Sequence, residues 1–413
     1  MNLLKNLCKT RPFYRSISTK SIDIFNPTNE HLVLRNMIKN FTEKEIEPQA
    51  NKYNKLEEFN LPLFKKLGEL GLLGITADSE YGGSEMDSVS AIIAHEEISY
   101  SDPAFCLSYL AHSMLFINNL NQNGSEYLKK KYLPSACRGD IITGMGMSEP
   151  NAGTDVLNMQ SKAIKEGDNY VLNGTKMWIT NGTIDGINTG DAFFIYARTG
   201  NKKNDISAFV IDNTMEGFKL GQKIIDKCGM RASMTAELVF DNVVVPQENL
   251  IGEENKASIC MMRNLEIERV ALAAMSLGIA RRCLEIMTKY STERKSFDKN
   301  LSEFGQIQSY ISNSYAEYMA GKAYVYLLAN NLELGSFGNG LDSDGVKLYC
   351  STMGKNIADK AIQTLGGYGY VGEYNVERLW RDSKLLEIGG GTNEAHHKNI
   401  IRDLKKDYKT LII

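Results

Sequence analysis

The sequence predicts an α+β protein built as three successive blocks: a helical N-terminal domain, a central β-domain and a helical C-terminal domain. Three observations carry this. Pro246 is the last of eight prolines, so nothing after it interrupts a long helix; an interior proline costs a helix about 3 kcal/mol. Before about residue 145, apolar residues recur at intervals of three and four. Between about 145 and 250 the period shortens to that of strands.

The first 22 residues stand outside these blocks. The stretch MNLLKNLCKTRPFYRSISTKSI carries Lys5, Lys9, Arg11, Arg15 and Lys20, and no acid precedes Asp23. A basic, Ser-containing, acid-poor leader reads as a mitochondrial transit peptide, with a disordered basic tail as the alternative. Residues 23–143 form the first block. Leu63, Phe64, Leu67 and Leu70 follow helical spacing, and DSVSAIIAHEEIS places capping residues ahead of an apolar run. In 144–255, NYVLNGTKMWIT reads as two short strands joined by Asn173-Gly174, and DAFFIYA, ISAFVI and AELVFDNVVVP read as further strands. Residues 256–413 return to helical spacing, with LGSFGNGLDSDG (334–345) as a loop between helices.

Composition narrows the function classes. The chain has 413 residues, 43% hydrophobic and 23% charged, with a net charge of −3, and no basic stripe supplies phosphate contacts to a nucleic acid. Its seven cysteines are scattered without a C-x-x-C pair, which indicates neither a disulfide framework nor a thiolate zinc site. His396 and His397 are adjacent and diverge on a helix, so they read as exposed polar residues rather than metal ligands. No apolar run approaches the ~18–20 residues that span a membrane.

Two motifs bear on chemistry. Gly367, Gly369 and Gly372 in GGYGYVGEY spell G-x-G-x-x-G. A dinucleotide fingerprint needs a strand before it and a helix opening within it. Here the preceding segment has helical spacing, so the match is one of letters, although glycines still let a phosphate approach. The second motif is a stripe at Met261, Leu265, Glu268, Leu272, Met275 and Ile279, in which one carboxylate interrupts five apolar residues. Either Glu268 pairs locally, with Arg269 for instance, or it is a carboxylate in an apolar cleft whose pKa rises toward that of a general base.

From about residue 24 onward the chain resembles the acyl-CoA dehydrogenase family. The likeness rests on GMGMSEPNAGTD (144–155), MWITNG (177–182), ERKSF (293–297), QTLGGYGYVGEY (363–374) and EIGGGTNEA (387–395), in this order and spacing. It implies an acyl-CoA dehydrogenase-like fold with a C-terminal four-helix bundle, bound FAD, a homotetramer, and electron transfer to an electron-transfer flavoprotein. Residues matching Gln363, Gly366, Gly367 and Arg294 approach the FAD pyrophosphate of a neighbouring subunit. Phe297, Thr392 and Glu394 are further cofactor positions. Met145, Met147, Ser148, Trp178, Ile179 and Thr180 fall around the flavin, and Thr154 is shared between cofactor and CoA. Glu266 and Arg269 are expected at the CoA portion, Arg269 having a second reading as partner of a nearby acid. Leu107 and Leu272 are expected at the acyl pocket, with Gly390 and Gly391 beside it.

The family removes an α-proton from an acyl-CoA and passes a β-hydride to the flavin. Most members place the base where this chain has Gly390. Two branches, acting on isovaleryl-CoA and on long-chain acyl-CoAs, place it on the helix that opens the C-terminal domain, and Glu268 matches that position. The resemblance is greatest to the isovaleryl-CoA branch. It implies oxidation of isovaleryl-CoA to 3-methylcrotonyl-CoA in leucine catabolism in the mitochondrial matrix. Gly390 is expected to leave space for a branched acyl group while its N–H serves an oxyanion hole. A dehydrogenase for other branched or longer acyl-CoAs, an acyl-CoA oxidase and a non-catalytic assembly factor retaining the fold are the alternatives. The chain departs from the family pattern at Leu386, Gly390, Asp298 and Gly305.

Overall fold

The computed structural model describes residues 23–406; the segment read as a transit peptide lies outside them. The first block comprises α1 (Asn29–Phe41), α2 (Glu47–Leu56), α3 (Leu61–Glu69), α4 (Ser88–Ser99), α5 (Pro103–Leu110), α6 (Asn119–Asn123) and α7 (Glu126–Arg138), with π-helical turns at 42–46 and 111–118. Side chains of Thr28, Asn60, Asp87, Asp102 and Ser125 cap the starts of α1, α3, α4, α5 and α7, satisfying amides that a helix start leaves unpaired. In α3, Leu63, Phe64 and Leu67 are buried, whereas Leu70 forms the exposed C-cap, so the apolar stripe ends one turn early.

Helix α4 is buried along its whole length. Its Glu96 and Glu97 are tolerated there because Arg35, Arg281 and Lys322 converge on them; buried carboxylates persist only when paired.

The second block is a sheet of β1 (Thr143–Gly146), β2 (Lys162–Glu166), β3 (Asn169–Thr180), β4 (Ala192–Arg198), β5 (Ile206–Asp212), β6 (Phe218–Ile224), β7 (Thr235–Pro246) and β8 (Leu250–Ile251). Its order is β6-β7-β3-β2-β4-β5-β8, with β1 parallel to β4. DAFFIYA is apolar throughout because both faces of β4 are covered. Phe193 and Ile195 enter the core of the β-domain, while Phe194 and Tyr196 join the core shared with the helices.

One strand differs from expectation. NYVLNGTKMWIT is a single strand, β3, and Asn173-Gly174 is a bulge rather than a hairpin turn. The β2–β3 turn falls earlier, at Gly167-Asp168. Cross-strand hydrogen bonds between the side chain of Asn173 and Asn242 hold the bulge. Gly174 has φ +146, and a Cβ there would collide with Ser161. Here glycine serves close approach of two chains, and the same dipeptide elsewhere serves a turn.

The third block opens with the 37-residue α8 (Ala257–Glu293), followed by the hairpin β9 (Lys295–Ser296) and β10 (Lys299–Asn300). Next come α9 (Gly305–Asn331), α10 (Gly340–Leu365), α11 (Val376–Leu386) and α12 (Asn393–Lys406). Helices α8, α9 and α10 pack together with α11, and α12 lies on α10. The proline-free sequence permits these lengths. The glycine-rich loop is shorter than its composition implies, since α10 begins at Gly340. GGYG forms a 3-10 turn after α10 with no strand ahead of it, so the G-x-G-x-x-G match is not a Rossmann turn. Helix α8, which carries Glu268, contacts α10, the N-terminal block and β5, and so runs where the three blocks join.

Candidate active site

Glu268 is only 7% exposed, and its Oε2 is buried without a hydrogen-bond partner. Arg269, the nearest candidate for neutralising it, is engaged elsewhere: its guanidinium stands 3.2 Å from Asp344 Oδ1. Burial pushes the Glu268 carboxyl up to about 7, against the opposing charges of Arg269 and Lys347. Of the two readings open from sequence, the structure shows the unpaired carboxylate. An acid poised near neutral pH and left without a hydrogen bond is suited to taking a proton from a ligand.

Gly390 and Gly391 follow α11 and adopt φ +66 and +95. The Gly390 N–H donates to no backbone carbonyl among the described residues. The space expected beside Gly390 is partly filled: a Cβ there would collide with Leu272 Cδ1, one helical turn beyond Glu268. Leu107 and Leu272 are both buried in the core, as an apolar wall requires. Leu386, one of the departures from the family pattern, is buried too.

Other candidates fall in different places. Glu266 lies on another face of α8, and its Oε2 accepts from the Asn339 N–H at 3.0 Å, ahead of α10. There it lines a polar, water-sized cavity with Arg263 and Asn264. Glu387, the nearest acid in sequence to Gly390, is tied to Lys384 at 2.7 Å and Lys355 at 3.7 Å. Thr392 accepts from the Ala395 N–H and starts α12, while Glu394 is exposed in its first turn.

The positions expected around a flavin converge at one end of the sheet. The Met177 N–H donates to the Ser148 carbonyl, joining the MSEPNAGTD loop to β3. Gly144 approaches the Thr180 carbonyl so closely that a Cβ would stand 2.7 Å from it. Trp178 has φ +67 in a second bulge of β3 and is 60% exposed. A large aromatic held out of the core in a conformation that disfavours side chains needs a partner to cover it. Met147 is buried, Met145, Ser148 and Thr180 are half-buried, and Thr154 is exposed. The Ile179 side chain lies in the β-domain core, so a ligand there would meet its backbone.

A separate cavity of about 660 Å³ is lined by Arg294, Gln363, Gly366, Gly367 and Tyr368. A Cβ on Gly366 or Gly367 would meet nothing within 4 Å, so bare backbone faces open space, with the Arg294 guanidinium at hand. This arrangement fits a pyrophosphate, which takes bidentate charge from arginine and close approach from glycine. Phe297, 89% exposed, caps the β9–β10 hairpin with Asp298. Both have positive φ, +50 and +62, as a two-residue type I′ turn requires. Aspartate tolerates this left-handed conformation better than most side chains, though at more cost than glycine. Gly305 opens α9 in open space.

Sequence reasoning missed the groups behind the glycine turn. His396, read as exposed, is fully buried with its Nδ1 on Asp344; only His397 is exposed. Lys347 is buried as well. Its signal was present: Ser343, Lys347, Cys350, Gly354 and Ile357 form one helical stripe, all buried. Among the described residues no group of three or more His, Cys, Asp or Glu is placed to hold a metal, and no helix is long and apolar enough to cross a membrane.

Helical blocks flanking a β-domain, an exposed tryptophan at the end of the sheet and a buried unpaired carboxylate suit a flavin-dependent oxidoreductase. Comparison with known proteins agrees. Residues 28–140, 144–243 and 259–405 match the N-terminal, middle and C-terminal domains of acyl-CoA dehydrogenases. The mitochondrial isovaleryl-CoA dehydrogenase of Arabidopsis thaliana is 40% identical, over 98% of each chain. A short-chain-specific acyl-CoA dehydrogenase of Clostridium acetobutylicum is 38% identical, over 90% of this chain and 97% of its own. Butyryl-CoA dehydrogenase from Megasphaera elsdenii superposes with a TM-score of 0.85 at 33% identity, covering 92% of this chain and 98% of its own. A Mycobacterium smegmatis glutaryl-CoA dehydrogenase solved with FADH2 gives 0.86 at 27%, covering 92% and 95%. The chain belongs to the acyl-CoA dehydrogenase family. It is an FAD-dependent oxidoreductase acting on CH–CH groups of acyl-CoA.

Proposed function

We propose that the chain oxidises isovaleryl-CoA to 3-methylcrotonyl-CoA in leucine catabolism, with Glu268 as the base. The observation that carries this reading is the unpartnered, buried Glu268 carboxylate beside Gly390. An α-carbon next to a thioester is a weak acid, so proton removal needs a base near neutral pKa and donors for the enolate oxygen. Glu268 supplies the first and the unengaged Gly390 N–H contributes to the second. Leu107 and Leu272 exclude water from the acyl group, and Trp178 with Met147 and Thr180 orients the flavin ring. FAD, when bound, supplies the hydride acceptor.

Arg294, Gln363, Gly366 and Gly367 hold the pyrophosphate end of FAD from an adjacent subunit, and the working unit is the homotetramer that the family resemblance implies. Domains span 23–143, 144–255 and 256–413, and residues 1–22 direct the chain to the mitochondrial matrix. There it passes electrons to an electron-transfer flavoprotein. Similarity to mitochondrial isovaleryl-CoA dehydrogenases along nearly the whole chain supports this assignment.

A second reading is a straight short-chain thioester, favoured by Leu272, whose Cδ1 takes up part of the volume that Gly390 leaves. Anaerobic loss of flavin absorbance with isovaleryl-, isobutyryl-, butyryl- and long-chain acyl-CoA decides between them. Fastest bleaching by isovaleryl-CoA is expected; fastest bleaching by butyryl-CoA assigns the second reading, and none with any thioester sinks both.

A further inference from the structure

The Gly390–Gly391 turn has no side chain of its own to anchor it, yet it borders the Glu268 carboxyl. Its anchor comes from α10. Lys347, 0% exposed, donates from Nζ to the Gly391 carbonyl at 2.7 Å. A buried ammonium is costly unless compensated. Burial pushes its pKa down to about 7, Arg269 adds to that, and Glu268, Glu387 and Asp344 oppose it. No direct hydrogen bond joins Lys347 to Glu268, so the two act on each other across a short gap.

The groups facing this site from each packed element are few. They are Arg269 on α8, Asp344 and Lys347 on α10, Glu387 after α11, His396 on α12 and Tyr196 on β4. Asp344 binds Arg269, His396 and Asn399, and Glu387 is held by Lys384 and Lys355. The charges of α4 and α9 meet α8 at Arg281, about 20 Å further along the helix. Among these, Lys347 is the cation not bound to a carboxylate.

We propose that Lys347 is a positioning residue for the base: its Nζ pins the Gly391 carbonyl, holds the glycine turn against the Glu268 carboxyl and, while protonated, favours the ionised form of that carboxyl. The inference rests on Glu268 being the base. Asp344 holds the other nearby cation, Arg269, in an ion pair at 3.2 Å.

The test compares Lys347→Met and Asp344→Asn with wild type as FAD-loaded enzymes. Two readouts are taken across pH: the rate of anaerobic flavin reduction, and the infrared band of the protonated Glu268 carboxyl, assigned by its loss in Glu268→Gln. Lys347→Met should move the acid limb of the rate, and the pH at which the band appears, up by about one unit or more. Asp344→Asn should move both down, because it removes a negative charge and frees Arg269. Opposite shifts support the inference, since generic loosening of the fold has no reason to act with opposite signs. An unmoved limb and band in the Lys347 variant, or shifts of the same sign in the two variants, overturn it. If Lys347→Met does not fold, Lys347→Gln, which removes the charge but keeps a donor for the Gly391 carbonyl, takes its place and should give the same upward shift. Wild-type bleaching with unmoved variants sinks this inference only; absence of wild-type bleaching sinks the functional reading as well.

Discussion

Glu268 Oε1 lies 3.4 Å from the point where a Cβ on Gly390 would stand. Residues far apart in the chain thus address one small volume, Glu268 from the side of α8 and Gly390 from the turn after α11. A carboxylate delivered from either place would reach the same region of a bound ligand. The identity of the base is therefore separable from its location in the sequence.

Replacing Glu268 with glutamine keeps the shape and removes the proton acceptor. The rate of flavin reduction by acyl-CoA in rapid mixing should fall by about 10²–10⁴-fold, with FAD content and melting temperature close to wild type. A rate within threefold of wild type would place the base elsewhere.

Moving the carboxylate provides a stricter check of the shared volume. Glu268→Ala combined with Gly390→Glu should recover part of the activity that Glu268→Ala alone loses. Recovery is partial because a side chain at φ +66 costs roughly 1–2 kcal/mol and displaces Leu272. A double variant no faster than the single one would count against the geometry.

Activity and stability should respond to pH with opposite signs. The Glu268 pKa is raised from the usual 4.5 to about 7, chiefly by burial. The rate of flavin reduction should rise as pH passes through about 7 and the carboxylate forms. In the same window the folded state holds a proton that the unfolded chain has released, so this residue's contribution to stability declines from about pH 4.5 to about 7. Denaturant titrations of wild type and Glu268→Gln across that window should differ in slope, the variant lacking this decline. Parallel curves would mean the carboxyl titrates near its ordinary value.

Arg294 beside Gly366 and Gly367 offers the charge expected for a pyrophosphate. Losing a charged hydrogen bond of about 1.5–3 kcal/mol should weaken FAD binding roughly 10–100-fold in Arg294→Ala. Flavin release on dilution measures this; unchanged retention would move the pyrophosphate to another site.

Leu272→Ala should enlarge the space beside Gly390. Flavin reduction with bulkier acyl-CoAs should gain relative to butyryl-CoA, at a cost of about 2–5 kcal/mol in stability for truncating a buried leucine. Parallel assays of acyl-CoA substrates, with a denaturation curve, check both halves. An unchanged order of preference would remove Leu272 from the acyl wall.

Much of the fold is legible in the sequence because burial imposes a period. The change from helical to strand spacing near residue 145 places the β-domain, and the absence of proline after Pro246 permits helices such as α8. Glu268 was visible as a carboxylate on an apolar stripe. Local chemistry failed where it had two uses. Asn-Gly at 173–174 serves a bulge, and His396 is buried where its neighbour His397 is not. In both cases a contact distant in the chain decides, with Asn242 in one and Asp344 in the other.

By itself, then, the sequence determined the three blocks, the candidate base and, through its motifs, the family. The tertiary structure decided what surrounds that base. Only packing of α8 against α10 and the glycine turn shows that Arg269 is spent on Asp344, that Leu272 fills the space beside Gly390, and that Lys347 is buried behind Gly391. The physical reason is range. Periodicity and capping are local properties of the chain, whereas desolvation and the pairing of charges depend on which distant segments exclude water from the same few ångströms.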